Sequence, residues 1–202
     1  MESLSFPQFE ARNSQVSVAL FRNVANSGAL KLRIISASTT EGDLGEAERE
    51  AVKFAFVDAR LITSKLHLET AIYQAILADS QGALRTRTVH SEILYLLNPT
   101  HNITEAIRRY GVSETSTDVI VVRVDSPDVT PDEVQKKMET VVEATISPFG
   151  ELENVTDWAS IKRYYKLNGE VVIKEAAKNP PKEHAIIDEI VTSSVAMKSV
   201  MG

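Results

Sequence analysis

LRTRTVHSEILYLLNPTHNITEAIRRYG, residues 84–111, sets a basic hinge, a long apolar run, a proline turn and a capped helix side by side. The last of these has the clearest punctuation. Asn102 is placed to cap free amides, and Glu105 sits at the third helical position in the manner of a capping box. Ile103, Ala106, Ile107 and Tyr110 then share one face. Arg108 and Arg109 fall where cations complement the helix dipole, and Gly111 is read as a left-handed exit. The run ILYLL, residues 93–97, is too short to assign by periodicity; ended by Asn98-Pro99, it reads as a strand. Before it, Arg85 and Arg87 alternate with Thr86 and Thr88 along an extended segment. Such a segment offers several donors to phosphate oxygens.

Downstream, DVIVVRVD at 118–125 is the strongest strand, apolar enough to be buried on both sides at its centre. Thr130-Pro131-Asp132-Glu133 begins a helix: a cap, Pro in the first turn and negative charge by the dipole. Val134, Met138, Val141 and Val142 supply its buried stripe. Asn154 is read as the start of a helix through Trp158, Ile161 and Tyr165. A polar stretch over 168–183 leads to a last helix from about Glu183 towards Met197. There Ile186, Ile187, Ile190, Val191, Val195 and Met197 spread round more of the circumference than one core-facing stripe requires. That helix either inserts deeply or packs inward on one side and against a partner on the other.

Upstream, residues 15–21 alternate as a strand, 26–35 form a helix, and 53–57 form a second short strand. Residues 38–52, rich in Ser, Thr, Gly and acidic side chains, read as a surface excursion. A helix begins near Thr63 or Ser64, repeats Leu68, Ala71, Ile72, Ala75 and Ile76 on one face, and stops by Gly82.

With 202 residues, 43% of them hydrophobic, the chain is expected to be one domain, 1–202, with a sizeable core. A net charge of −6 argues against broad wrapping of nucleic acid, though it leaves room for a local basic patch. The absence of cysteine excludes disulfides, zinc ribbons and thiol catalysis. The N-terminal residues lack the basic start and apolar core of a signal peptide. No apolar run approaches the ~20 residues of a membrane span, so the expected location is cytosolic or nuclear.

Catalytic signatures are missing from the sequence. His67, His90, His101 and His184 fall in no metal-ligand spacing, and Gly42 and Gly45 form no phosphate loop. Asp58 and Asp125, at strand ends, are expected simply to face solvent. The sequons at Asn102 and Asn154 are read as helix caps. Lys162, Arg163 and Lys166 interleave with Tyr164 and Tyr165, a mixture suited to phosphate contact and base stacking.

The run 86–112 followed by DVIVVRV resembles the TPRKB family, the kinase-binding subunit of the KEOPS (EKC) complex. So do VSVALFRNVANSGALK, FAFVDARLI, IKRYYKL and the apolar AIIDEIV near the end. Residues 38–52 and 168–183 fit the pattern poorly.

The resemblance implies an α/β (α+β) fold, a two-layer sandwich of helices on a small, mainly antiparallel sheet. It also implies a non-catalytic subunit without cofactors. Such a subunit binds and stimulates the complex's small atypical kinase/ATPase, and meets the other subunits indirectly. It helps hold tRNA by its 3′ CCA end for threonylcarbamoyladenosine modification, in nucleus and cytoplasm, with links to telomeres and transcription. On this sequence the kinase surface is expected at Ile186, Ile187, Ile190 and Val191, with Ile161, Tyr164 and Tyr165 as a second face. The tRNA surface is expected at Arg85, Arg87, His101, Asn102 and Arg109. The rival from another class is a small nucleotide- or metabolite-binding enzyme.

Overall fold

A computed structural model describes residues 1–200. Its centre is a pair of long antiparallel strands, β2 (Gln15–Arg22) and β4 (Asp118–Asp125), in register along their whole length, with Val16 opposite Val124 and Leu20 opposite Ile120. Strand alternation sends Val16, Val18, Leu20, Ile120, Val122 and Val124 to one face, and Ala19, Phe21, Val119 and Val121 to the other. Both sets are buried, which is why the two strands read as nearly continuous apolar runs. β3 (Ala55–Asp58) lies antiparallel to β4 on the outside. The far side of β2 is shared: β1 (Glu2–Ser5) pairs with residues 15–18, and β5 (Thr145–Ser147) pairs with residues 20–22.

Helices cover both faces. Against the first lie α3 (Lys65–Ser80), α4 (Val89–Leu97), α7 (Trp158–Tyr164), the short α8 (Val171–Ala176) and α9 (Pro180–Met197). α5 (Ile103–Tyr110) follows α4 and adds fully buried Tyr110. The second face packs on α1 (Ser27–Thr39) and α6 (Pro131–Val141) through Leu30, Ala37, Val134, Met138 and Val141. The α+β class and the antiparallel sheet with helices packed on it are as expected. The third layer, on the second face, goes beyond the two-layer sandwich.

Several local expectations are corrected. Residues 93–97 belong to α4 and are not a strand. Thr88 and Ser91 exchange side-chain-to-backbone bonds in a capping box, so the helix is nucleated at Val89, upstream of the featureless ILYLL. The stretch 38–52 is not a loose excursion. α1 runs on to Thr39, and α2 (Gly42–Ala51) folds back on it, held by Arg33 on both oxygens of Glu48 at 2.8 and 3.2 Å. Within 168–183, α8 buries Ile173 and Ala176. Asn154 lies in a 3-10 turn, and it is Asp157 that caps α7 by accepting from the Ser160 amide at 3.0 Å.

Gly111 is extended rather than left-handed, at φ −75°. Its glycine is required by proximity, because a Cβ there would stand 2.4 Å from the Ile107 carbonyl oxygen. The same residue bridges to Val57 and so covers the outer edge of β3. Asp58 does not face solvent. It is buried, takes two bonds from the Arg60 side chain at 2.9 and 2.7 Å, and accepts from the Ser116 hydroxyl at 2.8 Å. Asp125 is held by Arg123, itself buried in mid-strand.

Candidate interaction surfaces

The loop before α4 is shaped by Glu92. This buried carboxylate accepts from the Arg85 amide (3.0 Å), the Thr86 amide (2.8 Å) and the Thr86 hydroxyl (2.7 Å). With the backbone drawn inward, the side chains of Arg85 and Arg87 project into solvent. Neither takes part in an ion pair among the described residues. Two free guanidinium groups on a fixed loop are suited to meet an anion. Arg85 is also close enough to Tyr95 for its charge to oppose the upward shift that burial imposes on the phenol.

The turn after α4 is bonded throughout. Fully buried Asn98 donates through Nδ2 to the Thr100 carbonyl (3.2 Å) and hydroxyl (2.8 Å), and accepts from Arg109 (3.4 Å) through Oδ1. The Tyr95 hydroxyl shares a hydrogen bond with Nδ1 of exposed His101 at 2.8 Å. Asn102 is a true cap, accepting from the Glu105 amide at 2.9 Å. The Glu105 side chain does not complete the capping box. It turns to Thr100, Asn98 and Arg109, and the Thr100 hydroxyl, followed by the Asn98 amide and the arginines, holds its pKa below the usual carboxylate range. Arg109 also lies 4.4 Å over the ring of Tyr164, with Arg163 at 5.4 Å from the same ring.

The final helix enters this region from the other side. Lys198, immediately beyond α9 and buried, donates to the carbonyls of Tyr95, Asn98 (2.6 Å) and Thr100 (2.9 Å) and sits 3.9 Å over the Tyr95 ring. Burial draws its pKa down to about 8, opposed by the Glu92 carboxylate. Nothing local in the sequence marks this lysine, because its partners lie about a hundred residues away.

Of the expected protein-binding residues, Ile161, Ile187 and Val191 have no exposed surface and serve the core. Tyr165 donates to the Leu97 carbonyl at 2.7 Å. Ile186 and Ile190 are only partly buried; continuing the helical spacing, Met197 is half exposed. An incompletely covered apolar stripe therefore runs along α9. Its first turn is fixed to α7 by the Lys162–Glu183 pair (2.7 Å) and by Trp158 stacked on His184, ring centroids 4.0 Å apart and nearly parallel.

The remaining histidines are structural. His90 Nε2 accepts from the Val124 amide (3.1 Å), and His67 Nδ1 accepts from that of Thr63 (3.3 Å). Burial lowers their pKa values to about 3 and about 4, so both rings are neutral. A cleft of about 300 Å³ beside β1 and β5 is lined by Met1, Glu2, Val18, Leu20 and residues 147–150, and touches neither surface above. Among the described residues no helix is long and apolar enough to cross a membrane.

Comparison with known proteins gives a consistent pattern. Residues 21–199 match the family described as kinase binding protein CGI-121. A Cryptococcus neoformans protein named EKC/KEOPS complex subunit CGI121 is 34% identical over the whole of both chains. A Gibberella zeae protein of the same name is 31% identical over 92% of each. An Aspergillus fumigatus relative, again so named, is 36% identical over 75% of this chain and 76% of its own.

Proposed function

The chain belongs to the CGI-121 family of kinase-binding proteins, and from that premise we propose that it is a non-catalytic subunit of a KEOPS complex. Its direct partner would be the complex's protein kinase, and the whole would act on tRNA. The observation that carries this reading is the conjunction of two unlike surfaces on one molecule. The half-covered stripe Ile186, Ile190 and Met197 is suited to hydrophobic docking. The unpaired guanidinium groups of Arg85 and Arg87, with exposed His101 nearby, are suited to phosphate.

In this mechanism the chain supplies position rather than chemistry. Docking to the kinase fixes the subunit, and its basic loop holds one part of a long RNA. The rest of the RNA then has a raised effective concentration at a distant active site. The aromatic Tyr164, flanked by Arg109 and Arg163, would receive an unpaired base or terminal nucleotide. By the resemblance, the assembly would serve nucleus and cytoplasm, with telomere and transcription roles following from the same protein contacts.

Two variants test the two surfaces separately. Ile190→Asp is expected to abolish co-purification with the kinase while circular dichroism stays native; retention of the kinase by the folded variant would sink the α9 surface. The double variant Arg85→Glu/Arg87→Glu is expected to keep the kinase and to weaken tRNA retention by the assembled complex at fixed salt. Unchanged retention would sink the RNA surface.

A further inference from the structure

One side chain joins the two proposed surfaces directly, where the route through α7 takes several contacts. Lys198 lies at the end of the helix that carries Ile186 and Ile190, yet its ammonium is spent entirely on the turn between α4 and α5. Two of its three acceptors, the Tyr95 and Asn98 carbonyls, lie in the last turn of α4 and at its cap, where carbonyls lack the usual helical donor four residues on; Tyr95 otherwise has only the Asn98 amide at 3.3 Å. A cation there is favoured by the helix dipole as well. From those carbonyls the bonding runs outward without a gap. Tyr95 holds His101 through its hydroxyl, Asn98 holds Arg109 through its amide oxygen, and the Thr100 hydroxyl accepts from the Asn102 amide. Two of the residues assigned to RNA, His101 and Asn102, thus lie within two positions of the acceptor Thr100, and a third, Arg109, bonds directly to Asn98.

Between its first turn, held to α7 through Glu183 and His184, and its end at Lys198, α9 is less tightly specified. Where it packs on α3, His67 Nε2, Asp188 Oδ1 and Thr192 Oγ1 are buried without hydrogen-bond partners among the described residues. The Asp188 charge nevertheless acts on His67. Buried polar atoms are ordinarily paired, so a seam with three that are not loses no hydrogen bond from them when it slides. Its apolar contacts, Ile187, Val191 and Val195, resist separation more than small shifts along the helix axis. The directional bonds between α9 and the α4–α5 turn are concentrated at Lys198.

We propose that Lys198 is a positioning residue that couples kinase docking on α9 to the geometry of the RNA-facing turn over residues 98–102. This rests on the assignment of α9 to the kinase and of the 85–109 region to RNA. A partner seated on Ile186 and Ile190 fixes the axial position of α9. Lys198 transmits that position to three backbone carbonyls at once, and His101 and Arg109 are set with them. Reciprocally, RNA held on the turn favours the α9 position that the kinase prefers, since coupling between two binding sites is mutual.

The test uses the full-length chain, wild type, Lys198→Met and Lys198→Arg, each alone and with the kinase, followed by amide hydrogen exchange and by tRNA retention of the assembled complex. In the wild type, kinase binding is expected to slow exchange over 98–102, which lies outside the assigned docking residues Ile186 and Ile190. In Lys198→Met that distant protection should vanish, with the kinase still bound, and tRNA should be retained about tenfold less tightly, within the usual range for coupled sites. Lys198→Arg, which keeps the charge and several donors, should recover part of both. No kinase-dependent change over 98–102 in the wild type would overturn the proposal. So would exchange in Lys198→Met that stays as in the wild type, or that rises evenly through α3, α4 and α9, since the lysine would then be only a strut of the core. If exchange couples as expected but Arg85→Glu/Arg87→Glu leaves tRNA retention unchanged, the link stands and the RNA assignment is what fails.

Discussion

At the scale of single residues, the buried polar groups divide by whether their charge has a partner. Arg123, in the middle of β4, is paired with Glu50 at 2.7 Å and Asp125 at 2.8 Å and lies against Phe54, so it keeps its charge inside the protein. His67 and His90 form no ion pair among the described residues and stay neutral, desolvation being the first cause of both lowered pKa values and outweighing the nearby carboxylates. The unfolded chain titrates its histidines near ~6.5. Between that value and about 4 it binds protons that the folded protein refuses, so stability must fall as pH drops below about 6.5 and level off beneath the folded values. Each ring contributes a slope of up to about 1.4 kcal/mol per pH unit. Urea unfolding at pH 7.5 and 5.5 should show the loss, and His67→Leu should show roughly half of it. An unchanged difference between the two pH values in that variant would mean that other groups set the acid limit. None of this was legible from the histidines' spacing, because burial is decided by what packs on them, β4 on His90 and α9 near His67.

At the scale of elements, punctuation proved more readable than the runs between. Thr130 caps α6 as read, with Glu133 closing a capping box, and Asn102 caps α5 as read. The apolar run ILYLL misleads because every residue of it is buried, which erases the difference between a period of two and one of 3.6. Its identity lies outside it, in Thr88 and Ser91. β1 and β5, of four and three residues, fall below the length at which alternation means anything. Gly111, read as a left-handed exit, is instead extended, and its glycine answers to a contact that only the third dimension shows. Gly111→Ala places a methyl against the Ile107 carbonyl and is expected to destabilise by about 2–3 kcal/mol. Gly150→Ala, with nothing within 4 Å of its Cβ, should be close to neutral in the same urea titration. Equal midpoints for the two would show that α5 relaxes away from the contact.

On the scale of the whole molecule, the sequence reveals the pieces and leaves their adjacency unspecified. The α+β class follows from one strong strand pair and several capped helices, and the terminal helix stood out by its apolar circumference. That half of this circumference is core, through Ile187, Val191 and Val195, and half is incompletely covered, through Ile186 and Ile190, depends on where α3 lies. Arg85 and His101, sixteen positions apart in the chain, are brought to one region through Tyr95, and a lysine from the far end holds that region together. A net charge of −6 hides such a local cationic surface, since it sums over faces a ligand meets one at a time. The divided outer edge of β2 has a different bearing, on how safely the protein can be concentrated. Four residues of β1 are what stands between the backbone of Gln15–Val18 and the backbone of another copy. A bare strand edge is a template for its own kind. Removal of residues 1–6 is therefore expected to make the apparent mass in light scattering climb with concentration, and a mass that stays independent of concentration would show that the bared edge at residues 15–18 does not recruit another copy.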